Sequence, residues 1–192
     1  MPFRSVRTVE RAAAVILAEI GRVLAAVPLR TTDRFAAEIL RARRIFVTGQ
    51  GRSGLMGKAF AQRLMQMGLT VYAADEVTTP AIARGDLLVV CSGTGETPIN
   101  LLRVRIARRV RATVVVITAR PRSSLTELAH LCIRLSARVG PEASWHATRS
   151  IQPIRSLFEQ ALLIYLDAVV LSLMGRLGAR SGRMRKRHAN LE

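Results

Sequence analysis

Arg44-Ile-Phe-Val-Thr-Gly-Gln-Gly-Arg-Ser-Gly54 and Asp86-Leu-Leu-Val-Val-Cys-Ser-Gly-Thr-Gly-Glu-Thr97 decide the fold. Each begins as a short apolar run with β-branched residues, ends in glycines and leads into a helical pattern. Uninterrupted apolar strands of this kind are buried on both faces, as in parallel sheets covered by helices. Outward from the pair, the pattern continues. Leu55 to Met67 reads as a helix and Thr70 to Ala74 as a strand. Pro98 to Val110 is helical, Ala112 to Thr118 extended, Ser123 to Ala129 a short helix and Leu131 to Leu135 a fifth strand. Alternation of this kind predicts an α/β fold, a doubly wound five-stranded parallel sheet of flavodoxin-like order flanked by helices.

Residues 1–42 supply N-terminal helices. Over residues 5–28, Val9, Ala13, Ile16, Ile20 and Leu24 recur at helical spacing. Thr31-Thr32-Asp33 offers an N-cap for a second helix ending near Arg41. Residues 43–136 form the sheet core. Residues 136–150, with Gly140, Pro141, Trp145 and His146, read as a long loop. Residues 152–192 carry a helix from about Ile154 to Leu177 and a polar tail, with a short helix near Met184 to His188. The whole of 1–192 is expected to be one domain, since one core suits this length.

Composition narrows the function classes. The formal charge is +17, almost all from Arg. The arginines are scattered and aromatics make up 4% of the chain, which leaves few stacking platforms for nucleic acid. A basic field attracts small anions instead. The apolar segment Leu162 to Met174 is shorter than the roughly 18 residues of a membrane span and contains Asp167. The N-terminus lacks the order of a signal peptide, so a cytoplasmic location is expected. Cys91 and Cys132 lie in predicted strands and read as reduced core thiols. No Cys/His spacing suggests a metal, and no cofactor is expected.

The two glycine-rich turns carry the chemistry. Helix N-termini with nearby glycines bind anions through free N–H groups and a partial positive charge. Ser53, Ser92, Thr94 and Thr97 add hydroxyl donors. The first turn lacks the spacer and terminal Lys of a nucleotide-binding P-loop. Strands one and three of a flavodoxin-like sheet are neighbours at the switch point, so both turns face one ligand. Their hydroxyls point to one small phosphate.

GQGRSG and SGTGET resemble the two loops of the sugar isomerase (SIS) domain family. GRSGLMGKAFAQRLMQMGLTVY, TTPAI, GDLLVVCSGTGET, QPIRSLFEQALLIYLDAVV and the terminal RHANLE are similar to its 6-phospho-3-hexuloisomerase branch, from about residue 35 onward. That resemblance implies a homotetramer, or a dimer, with shared active sites. It implies a metal-free isomerase interconverting 3-hexulose 6-phosphate and fructose 6-phosphate through a cis-enediol, in formaldehyde fixation or pentose phosphate supply. By position it implies that Ser53, Ser92, Thr94 and Thr97 hold the phosphate, with Gly51 and Gly93 in the loops and Arg52 at the mouth. Glu159 becomes the base, His188 acts on sugar oxygens from its own or a neighbouring subunit, and Glu96 shapes the loop or touches the sugar. Gln50, Asp75, Val77 and Arg155 depart from the family pattern, and Arg155 stands where glycine is usual. A related isomerase of arabinose 5-phosphate or sedoheptulose 7-phosphate, and a non-catalytic sugar-phosphate sensor, are the alternatives. A sensor needs a DNA-reading module, and residues 1–42 lack a helix-turn-helix.

Overall fold

Five strands pair in parallel in the order β2-β1-β3-β4-β5. They are β1 (Ile45–Gly49), β2 (Val71–Ala73), β3 (Leu87–Cys91), β4 (Thr113–Thr118) and β5 (Leu131–Arg134). The computed structural model describes residues 8–139, 148 and 150–190. The expected loop residues Gly140, Pro141, Trp145 and His146 lie outside them, as do the last two residues of RHANLE and the first three of the expected 5–28 helix. The fold is the doubly wound α/β arrangement that the alternation of apolar runs predicts.

The pleat sorts each strand into two cores. Ile45, Val47, Leu87, Val89, Cys91, Val115, Ile117 and Ile133 face one side. There they meet α1 (Val9–Ala25), α2 (Leu29–Arg41), α3 (Gly51–Gln66) and α6 (Ser156–Leu177). Phe46, Leu88, Val90, Val114 and Val116 face the other side, against α4 (Pro98–Arg109) and α5 (Ser124–Leu128). Burying one such Val or Leu contributes roughly 1.5–3 kcal/mol. Because both faces are covered, the β3 residues are buried without alternation. The fold ends in a short α7 (Ser181–Arg185).

α1 ends at Ala25, short of the expected 28, and the short helix expected near Met184 to His188 lies at Ser181–Arg185. Three helix starts differ from expectation for identifiable reasons. α2 starts at Leu29, with Pro28 as its N-cap, ahead of Thr31-Thr32-Asp33. Those polar side chains dock the helix on α6: Thr32 Oγ1 lies 3.2 Å from Tyr165 OH, and Arg176 donates to Asp33 at 2.5 Å. α3 starts at Gly51, four residues before Leu55, so most of the first glycine turn is helix. α6 starts at Ser156, and Ile154 ahead of it is exposed.

α6 runs 22 residues and is, by length and composition alone, apolar enough to cross a membrane. The apolar segment read in the sequence, Leu162 to Met174, lies within this longer helix and carries Asp167. Leu157, Phe158, Leu162, Leu166 and Leu173 are buried in the core with the sheet and α3, which identifies α6 as a core helix.

The N-terminal edge of the sheet is tied by Asp86, whose side chain is buried. It accepts from Arg44 Nη2 at 2.6 Å, Arg43 Nε at 3.2 Å and the Ala83 amide at 2.8 Å. Burial pushes its pKa up, but these donors outweigh it and hold it below the ordinary value. The functional end is the opposite one.

Candidate active site

The C-terminal ends of β1 and β3 deliver both glycine-rich turns to one pocket of about 270 Å³. It is lined by Gln50, Gly51, Arg52 and Ser53 from the first turn and Cys91, Ser92, Gly93, Thr94 and Thr97 from the second. Arg155, Phe158 and Glu159 close it from the start of α6. Neighbouring strands with opposite crossover directions leave such a crevice at their carboxyl ends.

The first turn is tight because two glycines pack on each other. A Cβ on Gly49 would sit 2.8 Å from Gly54 Cα and 2.9 Å from the Cys91 carbonyl oxygen. These glycines therefore serve strand-on-helix packing rather than approach to a ligand. The first helical bond of α3 runs from the Gly54 amide to the Gln50 carbonyl, 3.3 Å. The amides of Gly51, Arg52 and Ser53 thus have no acceptor within the helix, and they stand at the pocket. Free amides at a helix start favour an anion.

The second turn is built around Ser92, which is 3% exposed. Its Oγ lies 3.1 Å from Thr97 Oγ1 and accepts the Gly95 amide at 3.2 Å. Thr97 is the N-cap residue of α4 but makes no capping bond, which leaves its hydroxyl for Ser92. Gly95 has a φ of +69°, and a Cβ there would come 2.1 Å from Ser123 Oγ, so no side chain fits. Ser123 is committed to capping α5 with Thr126. Burial pushes the Cys91 thiol up to about 12, so this lining residue is a neutral, inert thiol at physiological pH.

Phe158 brings Glu159 to the loops. The ring is fully buried beside Gly93, where a Cβ would lie 3.0 Å from Phe158 Cδ1. Glu159 follows in the first turn of α6, 7% exposed, and accepts from Arg52 Nε. Arg52 itself remains largely exposed. The result is a buried carboxylate, paired with a largely exposed arginine, beside the two hydroxyl-rich turns.

The sequence marks Arg155 only as a departure from the family pattern, and it leaves Glu19 unread. Arg155, the residue before α6, adopts φ 66°, ψ −5° in the left-handed region. That costs a side chain on the order of 1–2 kcal/mol relative to glycine. Glu19 of α1 is buried and accepts from Ser150 Oγ at 2.6 Å, Gln152 Nε2 at 2.8 Å and the Ile151 amide at 3.1 Å. It anchors the chain that leads into Arg155 and α6. The signal was there: Glu19 lies on the helical face of Ile16, Ile20 and Val23, where a carboxylate needs a partner.

Eight of the ten expected site residues line the pocket: Gly51, Arg52, Ser53, Ser92, Gly93, Thr94, Thr97 and Glu159. Glu96 does not. Its carboxylate turns to α5, accepting the Ser124 amide at 3.0 Å and Ser124 Oγ at 2.6 Å, and these bonds lower its pKa. His188 also lies elsewhere in the chain, beside α7, in a groove with Arg63, Gln66, Asp167 and Met174. Among the described residues no group of three His, Cys, Asp or Glu side chains gathers to hold a metal.

Residues 38–164 match the SIS domain family. The chain is 40% identical to the 3-hexulose-6-phosphate isomerase of Bacillus subtilis, over 93% of this chain and 96% of that one. It is 37% identical to the 3-hexulose-6-phosphate isomerase of Mycobacterium gastri, over 91% and 86% of the two chains. A crystal structure from Methanococcus jannaschii, for which a 3-hexulose-6-phosphate isomerase function was inferred, superposes with a TM-score of 0.82 at 29% identity, covering 94% of this chain and 99% of that one.

Proposed function

The chain belongs to the SIS domain family and is a sugar-phosphate isomerase, and we propose that it interconverts 3-hexulose 6-phosphate and fructose 6-phosphate. The observation that carries this reading is the pocket in which the buried carboxylate of Glu159 meets both hydroxyl-rich turns. The phosphate sits on Ser53, Ser92, Thr94 and Thr97 and on the free amides opening α3. The open-chain sugar then extends toward Glu159.

Glu159 takes the proton from C2 as the C3 carbonyl oxygen gains one, which gives a cis-enediol. The proton returns at C3, and the C2 hydroxyl loses its proton to become the new carbonyl. Arg52 orients the carboxylate and stabilises negative charge that develops on the sugar oxygens. The oxygens also need a group that donates and accepts near neutral pH, and an imidazole does both. We assign that role to His188 of a neighbouring subunit, since its own chain holds it away from this pocket. Self-association, as a tetramer or dimer, is part of the proposal. Exposed apolar side chains on α3 and α6, including Leu55, Met65 and Leu171, support it. So is a cytoplasmic setting, in a route that fixes formaldehyde or supplies pentose phosphates.

The test is a substrate panel. 3-Hexulose 6-phosphate, arabinose 5-phosphate and sedoheptulose 7-phosphate are offered separately and the products identified. Fructose 6-phosphate should form from the first at the highest kcat/KM. Faster turnover of arabinose 5-phosphate, with the hexulose left intact, would reverse the substrate assignment.

A further inference from the structure

We propose that Arg155 is a substrate-binding cation that gives the pocket its net positive charge and sets its affinity for the phosphate group. The inference rests on the phosphate-binding reading above and adds to it a residue that the two turns do not contain.

The first observation is the charge of the pocket. Its charged lining residues are Arg52, Glu159 and Arg155. Arg52 and Glu159 pair with each other. The Arg155 guanidinium, exposed, has no ion pair or hydrogen bond with the described residues. A phosphate dianion brought into so small a cavity also meets the carboxylate of Glu159. Without Arg155 the protein side chains would offer it no net positive charge, and hydroxyls and amides alone would have to offset the repulsion.

The second observation is the backbone. Arg155 is held at φ 66°, where glycine is at ease and arginine is not. Its side chain makes no capping bond to α6 that would repay this. Its carbonyl accepts the Glu159 amide at 3.2 Å, so the strained residue sits one turn before the carboxylate and on the same side of the helix. Such strained residues persist where the surrounding structure holds them and they cluster at ligand sites; the other one among the described residues, Arg111 at φ 59°, lies in the turn between α4 and β4.

The third is position. Arg155 lines both the pocket and an adjoining cavity of about 500 Å³ that also touches Arg138, Ser150 and Gln152. A long guanidinium at that junction reaches a phosphate on the turns without displacing Arg52 from Glu159.

The experiment compares Arg155→Gly, Arg155→Gln and Arg155→Lys with the unaltered protein. Binding of inorganic phosphate is measured by calorimetry at low and high salt, alongside KM and kcat for 3-hexulose 6-phosphate and the Tm. Arg155→Gly relieves the left-handed strain and should fold with an unchanged or higher Tm. Its Kd for phosphate and its KM should rise about 10- to 100-fold, the range of a charge-assisted hydrogen bond, with the smaller loss in kcat. Arg155→Gln should lose affinity as the glycine variant does, and Arg155→Lys should keep most of it. Phosphate binding within about twofold of the unaltered protein in both Arg155→Gly and Arg155→Gln overturns the proposal. So does full affinity in Arg155→Gln alone, which would make charge irrelevant. If phosphate binding depends on Arg155 but the unaltered protein leaves 3-hexulose 6-phosphate intact, this inference stands and the substrate assignment falls.

Discussion

Replacing Glu19 with alanine tests how the active-site helix is held. Glu19 is 3% exposed and accepts three hydrogen bonds, from Ser150 Oγ, Ile151 N and Gln152 Nε2. Among the described residues no cation pairs with it. Alanine removes the acceptor and strands all three donors at once. A buried polar group left without a partner costs about 1–3 kcal/mol. The three donors are half-buried and water can enter the vacated volume, so the low end, about 1 kcal/mol each, applies. A total of about 3 kcal/mol lowers the Tm of a chain this long by about 6–12 °C. Glu19→Gln keeps one acceptor oxygen but turns an amide toward donors, and should lose roughly half as much. Scanning calorimetry at fixed protein concentration measures both. Because residues 150–152 lead into Arg155 and Glu159, KM should rise in Glu19→Ala at temperatures where it is folded. A Tm within about 2 °C of the unaltered protein, less than 1 kcal/mol, would show that Glu19 anchors nothing.

Ser92→Ala removes a buried hydroxyl that contacts Thr97 and the Gly95 amide. It should raise KM more than it lowers kcat, and a loss confined to kcat would move the phosphate off this turn. Asp86 is held below the ordinary Asp value of 3.8. Its contribution is complete above that value and disappears as the pH falls through the depressed one. Acid unfolding followed by circular dichroism should therefore be less steep in Asp86→Asn, which should also be less stable at neutral pH. An unchanged acid slope would mean that Asp86 is not the group titrating. Light scattering at micromolar concentration should show an oligomer, and a fully active monomer would refute the delivery of His188 across an interface.

The strands were legible because parallel strands covered on both faces read as unbroken apolar runs, as Leu87–Cys91 does. The pocket was legible because two runs ended in the same glycine and hydroxyl pattern, and sheet order put them side by side. Helix starts were harder. Thr31-Thr32-Asp33 carries good capping side chains, yet Tyr165 and Arg176 of α6 engage two of them, contacts more than a hundred residues away in sequence. The start of α3 was hidden for a related reason: glycine is a poor helix former in isolation, but Gly54 is needed where Gly49 approaches within van der Waals contact. Glu96 was open between shaping the loop and touching the sugar, and the fold turns its carboxylate to Ser124. The left-handed backbone of Arg155 was signalled only by the glycine usual at that position in the family, since arginine itself carries no signal for it.

The direct test of the account is isomerisation of 3-hexulose 6-phosphate in heavy water by the unaltered protein and by Glu159→Gln. The glutamine keeps the shape and burial of Glu159 and the reach to Arg52, but cannot take a proton. The unaltered protein should form fructose 6-phosphate carrying deuterium at C3 to the extent that Glu159 exchanges its proton with solvent before returning it. Glu159→Gln should fold normally, bind substrate with little change and turn it over about 100- to 10,000-fold more slowly, the usual share of a general base. Near-normal turnover by a folded Glu159→Gln would contradict the account and place the base elsewhere.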